Sequence, residues 1–363
     1  MIKGHGGNIY DVATRLGCQP GEIIDMSSNV NPLGPPPGLK VHLQKRLNLI
    51  TALPQVDAKE ISTEFAQRCG LDAECILAGS GTTPLIYAIP QVLETKKALI
   101  IGPTYSDYAD ACRMHRVEFD FFIASESLLF EVDINALKNE IKGYDTVFIC
   151  NPNNPTGTLI SPEKIIFICR SFPHTHFIID ESYLAFVENG EKASMICSGF
   201  ANVVILNSMS KIFRIPGLRI GFLIAAKGII RKFKKYMLPW SVNSLAQAAA
   251  SYLMMNKSEI DRFVEQTRKF VKNEREKLAE TLESTGRIKV IPSQVAFMLA
   301  KLPDIVTAGE VCEQLQHEKI LLRNCSNFKG LSEQFIRFSL NTENVNRMFA
   351  DKLAVLISDI SNP

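Results

Sequence analysis

One lysine in this chain stands where its amine can do covalent chemistry. Ser208-Met209-Ser210-Lys211 follows the apolar run VVILN (203–207), and Arg219 comes eight residues after the lysine, just before the run IGFLIA (220–225). A lysine at the end of a buried strand, flanked by hydroxyls and followed by an arginine, suits a Schiff-base site, in which the amine condenses with an aldehyde. Ser208, Ser210 and Arg219 are then donors for a phosphate on the same ligand. Alone, such a lysine is ordinarily a solvated surface residue, so the reading depends on what accompanies it.

Three more apolar runs and one glycine-rich turn lead into groups that can serve the same ligand. HFIID (176–180) ends in Asp180-Glu181-Ser182-Tyr183. A carboxylate there can hold a pyridinium nitrogen protonated, and a tyrosine three residues on can bond a phenolic oxygen of the same ring. DTVFIC (145–150) runs into Asn151-Pro152-Asn153-Asn154-Pro155-Thr156-Gly157, a strong turn in which Asn154 is a donor at a strand's carboxyl end. Gly79-Ser80-Gly81-Thr82-Thr83 opens a helical pattern and makes an anion site from free N–H groups and hydroxyls. It is neither a dinucleotide fingerprint, because Pro84 and Leu85 occupy the region of the last glycine, nor a P-loop, because GK[ST] is missing. KALIIG (97–102) leads into Pro103-Thr104-Tyr105-Ser106-Asp107-Tyr108, whose aromatics can stack on a flat cofactor. Each feature has an ordinary structural explanation by itself; five together at strand ends point to a cofactor.

The near-continuous apolar runs suit a sheet covered on both faces, and the helical patterns between them (85–93, 161–172) make an α/β fold with a mostly parallel sheet. After residue 245 the pattern changes to a long helix over about 258–284, then short strands around one helix near 307–318. We therefore expect an N-terminal segment 1–44 packing on the small domain, a large cofactor-binding domain 45–244, and a small α+β domain 245–363.

With 40 basic and 38 acidic residues in 363, the net charge is +2, and no basic run offers nucleic acid a footprint. No stretch approaches the roughly 20 apolar residues of a membrane span. Nine cysteines without a CxxC pair fit reduced thiols in the cytoplasm, not a disulfide framework or a metal site.

In order, GSGTT, PTYSDY, NPNNPTG, DESY and SMSKIFRIPGLRIG resemble the motifs of the class I/II aminotransferase superfamily, fold type I of the pyridoxal 5'-phosphate enzymes. HGGNIYDVATRLG, MSSNVNPLGPP, LPWSVNSLAQ and ILLRNCSNFKGL with FIRFSL look like its threonine-phosphate decarboxylase branch, close to the histidinol-phosphate aminotransferases. The resemblance implies that Lys211 carries pyridoxal phosphate, Asp180 holds its ring nitrogen, and Asn154 and Tyr183 hold its ring oxygen. It implies that Tyr108, in preference to Tyr105, stacks on the ring, and that Gly81, Thr82, Ser208, Ser210 and Arg219 take the phosphate. His5, Gly6, Asn29, Arg323 and Arg337, with Asn154, would contact a small phosphorylated amino acid. It also implies a homodimer. Relatives often carry an aromatic before the proline of TALPQVD that reaches the neighbouring subunit's cofactor; this chain has Leu53 there. The implied reaction is decarboxylation of O-phospho-L-threonine, the alternatives being O-phospho-serine decarboxylation or a histidinol-phosphate-type transamination.

Overall fold

The computed structural model describes residues 6–361. A seven-stranded sheet runs in the spatial order Ile76–Gly79, Gly221–Ala225, Val203–Ser208, His176–Asp180, Thr146–Cys150, Lys97–Gly102, Glu118–Ile123. Gly221–Ala225 is antiparallel to both neighbours, and the other pairings are parallel. The apolar runs have a two-faced burden. Phe148, Ile178, Val204 and Leu223 face the helices Thr83–Val92, Asp107–Met114 and Lys227–Lys234. Their alternate neighbours Val147, Ile149, Ile179 and Ile205 face Lys59–Cys69, Pro162–Ser171 and Ser244–Met255. Alternation with both faces buried makes the middle of each run apolar and leaves polar residues to the strand ends.

Two strands have no clear apolar run in the sequence. Ile76–Gly79 has only four residues, and Glu118–Ile123 is an edge strand whose side chains are only partly covered. An edge strand keeps polar residues on its open side, so its signal is weak.

The helix Lys257–Glu283 leads to a four-stranded antiparallel sheet, ordered Arg323–Asn324, Phe335–Ser339, Phe297–Lys301, Lys289–Val290. The helix Ala308–His317 begins in a reciprocal capping box between Thr307 and Glu310. The short strand Ile24–Asp25 pairs in parallel with Ile320–Leu321, which seats the N-terminal segment beside this second sheet. Among the described residues no helix is long and apolar enough to cross a membrane.

Candidate active site

The carboxyl ends of the parallel strands meet in a cavity of about 160 Å³. A second compartment of about 180 Å³ adjoins it and shares Tyr105, Asn154, Tyr183 and Lys211. Ser208 ends its strand and caps the short helix Met209–Ile212, its hydroxyl accepting the Ser210 N–H at 3.3 Å. Lys211 follows one turn later. Enclosure by protein, then the charges of Arg219 and Arg337, pull its ammonium down to about 8 against the attraction of Asp180. A cation hemmed in by two others in a desolvated site releases its proton readily, as imine chemistry requires.

Asp180 is buried and lines the cavity. Its Oδ1 accepts the Ser182 N–H at 3.0 Å and its Oδ2 the Tyr108 hydroxyl at 2.8 Å. Burial raises its carboxyl above the ordinary range, opposed by the Ser182 and Tyr108 hydrogen bonds and the Lys211 charge. A ring nitrogen placed here meets a carboxyl group already held by two hydrogen bonds.

Tyr105 lines the first compartment, and so does Tyr108. Its ring lies nearly parallel to Phe148 at 5.4 Å, it is 1% exposed, and its hydroxyl is committed to Asp180. The Tyr108 hydroxyl braces the Asp180 carboxylate. Tyr105 is set edge-on to Tyr108 and lines both compartments. Tyr108 stands in the helix that begins at Asp107, and Tyr105 on the loop before it.

The anion end is built from Thr82, Ser208 and Arg219 beside the start of the helix Thr83–Val92. Gly81 has φ +76°, and a Cβ there would meet the Arg219 guanidinium at 2.6 Å. Arg219 itself is left-handed, at φ +57°, a conformation costing a non-glycine residue about 1 kcal/mol. Ser210 does not join this cluster. It is 1% exposed, and its hydroxyl faces the Ile220 carbonyl at 3.5 Å. Ser208 and Lys211 are three residues apart and share a side of the turn, whereas Ser210 points to the neighbouring strand.

Arg323 and Arg337 are direct cross-strand partners, so both guanidinium groups rise from one face of the second sheet. Arg337 is 5% exposed and bonds the Asn154 side chain and, at 2.6 Å, the Ser27 carbonyl. Its Nε has no hydrogen-bond partner among the described residues. Arg323 bonds the Asn324 carbonyl and, at 2.7 Å, Asn327, and lies over the Phe328 ring at 5.0 Å. Asn29 lines the same compartment and donates to the Tyr183 hydroxyl at 3.3 Å, as does Gly6 line it. His5 lies outside the described residues. Leu53 is 75% exposed and lines neither compartment.

Sequence reasoning assigned no role to Cys150 and Ser182 in the first compartment, or to Ser27, Ser28 and Phe328 in the second. All stand in or beside a motif already singled out. Phe328 shares its motif with Arg323, and the fold lays its ring under that guanidinium.

The model of the family described as aminotransferase class I and II matches residues 21–353. The chain belongs to that family. It is 30% identical to a putative threonine-phosphate decarboxylase of Caldanaerobacter subterraneus, over 98% of this chain and 94% of that protein. It is 31% identical to the adenosylcobalamin biosynthesis bifunctional protein CobDQ of Leptospira interrogans over 96% of this chain, and it spans only 40% of that longer protein. The solved L-threonine-O-3-phosphate decarboxylase of Porphyromonas gingivalis superposes with TM-score 0.83 at 29% identity, covering 93% of this chain and all of that one. The histidinol-phosphate aminotransferase of Clostridium acetobutylicum does so with TM-score 0.85 at 28% identity and the same coverage. The architecture is that of the fold type I enzymes.

The family's cofactor is pyridoxal phosphate, and this aminotransferase-type cavity has one group for each of its functions. Thr82, Ser208 and Arg219 match a phosphate, Lys211 an aldehyde, Asn154 and Tyr183 a phenolic oxygen, and Asp180 a pyridine nitrogen. The close approach of Gly81 to Arg219, which a side chain would block, is what a phosphate cradle requires.

Proposed function

We propose that this chain is a pyridoxal-phosphate-dependent decarboxylase that converts O-phospho-L-threonine to (R)-1-amino-2-propanol O-phosphate, a step of cobalamin biosynthesis, and that it works as a cytoplasmic homodimer. The observation that carries the reading is the cross-strand arginine pair beside Lys211, which offers two oxyanion sites to one small ligand. Bound in the adjoining cavity, pyridoxal phosphate supplies the electron sink for breaking a bond at the substrate's Cα. Arg323 takes the phosphate, and the Arg337 Nε takes the carboxylate that leaves as CO2. Lys211, whose ammonium sits near 8, is suited to return a proton to Cα. Asp180 keeps the ring nitrogen protonated, and Asn154 and Tyr183 hold the ring oxygen.

The dimer part of the reading is supported by exposed apolar residues on two adjoining segments. Ile50, Leu53 and Val56 lie on one, Leu238 and Trp240 on the other, and the Trp240 N–H donates to the Val56 carbonyl at 2.9 Å. A patch of this kind is commonly an interface.

A phospho-amino-acid aminotransferase has one observation in its favour, since two adjacent guanidinium groups can also clasp a single phosphate. O-Phospho-serine differs from the proposed substrate by one methyl. The substrate class is tested by Arg323→Ala. One lost charge-assisted bond is worth about 1.5–3 kcal/mol, so kcat/KM for phosphothreonine should fall tenfold or more, with little change for unphosphorylated threonine. Equal losses on both substrates would overturn the assignment of Arg323 to the phosphate.

A further inference from the structure

Asp25 lies outside both compartments yet is bonded to the backbone that closes one of them. Its Oδ1 accepts the Ser27 N–H at 2.8 Å, the Ser27 hydroxyl at 2.7 Å and the Ser28 N–H at 3.1 Å. Its Oδ2 accepts the Ser28 hydroxyl at 2.5 Å. Four donors on one carboxylate fix the Ser27–Ser28 turn in a single arrangement.

That turn has two further duties. The Ser27 carbonyl accepts the Arg337 Nη2 at 2.6 Å, and the Ser27 hydroxyl accepts the Gly7 N–H at 2.6 Å. Ser27 is 1% exposed, so neither bond competes easily with water. The strap carrying Gly6 and Gly7 runs so close that a Cβ on Gly6 would meet the Ser27 carbonyl oxygen at 2.6 Å. A Cβ on Gly7, at φ +84°, would meet the Ser28 hydroxyl at 2.7 Å. Two of the three nitrogens of Arg337 are thus held by Asn154 and Ser27, and the direction of the third, the unpartnered Nε, follows from those two.

We propose that Asp25 is a positioning residue: its carboxylate sets the Ser27–Ser28 turn that aims Arg337 at the substrate's carboxylate and ties the Gly6–Gly7 strap to the substrate compartment. The link is physical and short. Asp25 closes the strand that pairs with Ile320–Leu321, two residues ahead of Arg323, so one small framework carries both arginines. Asp25→Asn keeps the size and one acceptor oxygen but removes the charge and reverses Oδ2 from acceptor to donor, which loosens the turn without emptying it. The inference rests on the reading above only in giving Arg337 a carboxylate to bind.

The test uses holoenzyme and two ligands titrated by the change in cofactor absorbance: O-phospho-L-threonine, and 1-amino-2-propanol O-phosphate, which lacks the carboxylate. In Asp25→Asn, affinity for the first should fall on the order of tenfold and affinity for the second by less than about twofold. Amide hydrogen exchange at residues 6–8 should become faster. No loss for either ligand, or the same loss for both, would overturn the proposal. If wild-type protein binds neither ligand, the substrate assignment fails, and the Asp25 proposal then stands or falls on the exchange at 6–8. Should Asp25→Asn not fold, Ser27→Ala keeps the carbonyl for Arg337 but removes the acceptor for Gly7. It should speed exchange at 6–8 with a smaller loss of phosphothreonine affinity, and unchanged exchange would refute the linkage.

Discussion

Capture of the cofactor by apoenzyme should depend on pH with a bend near 8. Only the neutral amine of Lys211 attacks an aldehyde, so the rate follows the deprotonated fraction, which rises with pH. An ordinary lysine, titrating at 10.5, is neutral in about one molecule per thousand at pH 7.5. With its ammonium at about 8, Lys211 is neutral in roughly a quarter of molecules at that pH, a gain of about two hundredfold in reactive amine. Stopped-flow capture of pyridoxal, the form without phosphate, should therefore accelerate tenfold per pH unit below 8 and level off above it. Burial is the largest cause of the shift and Arg219 the next, so Arg219→Gln should move the bend upward. Using pyridoxal removes the confounding loss of a phosphate contact. A log-rate still climbing at unit slope to pH 10, or a bend that Arg219→Gln leaves in place, would refute the reasoning.

Asp180→Asn should lower kcat tenfold or more with little change in KM, because a charge opposite the ring nitrogen matters most in the transition state; near-normal turnover would remove Asp180 from that role. Tyr105→Ala should speed cofactor release several-fold, as expected for a lost aromatic contact of about 0.5–1.5 kcal/mol. Tyr108→Leu should speed release less, and the opposite ranking would give the stacking role to Tyr108.

Much of the site was legible because the chemistry-bearing residues follow buried strands. Asp180, Asn154 and Lys211 each stand at or just beyond the end of an apolar run that is covered on both faces, so the run locates the residue. What was not legible depends on direction. Tyr105 and Tyr108 are three residues apart and both line the cavity, but only the fold shows that the Tyr108 hydroxyl is committed to Asp180. Ser208 and Ser210 flank the same methionine, and a two-residue step into a helix separates a pocket wall from the sheet behind it. The pairing of Arg323 with Arg337 joins two short strands across a ten-residue connection, a long-range register that no local pattern announces. Asp25 carries no motif signal, because its four donors lie within three positions of it and their consequence appears only at Arg337.

The central claim is that the carboxylate, not the hydrogen, leaves the substrate's Cα. A single turnover of holoenzyme with stoichiometric O-phospho-L-threonine, in the absence of any 2-oxo acid, tests it directly. The account predicts one equivalent of CO2 per active site, 1-amino-2-propanol O-phosphate as product, and cofactor recovered in its aldehyde form. Stoichiometric pyridoxamine phosphate with no CO2 would contradict it and make the protein an aminotransferase on the same fold.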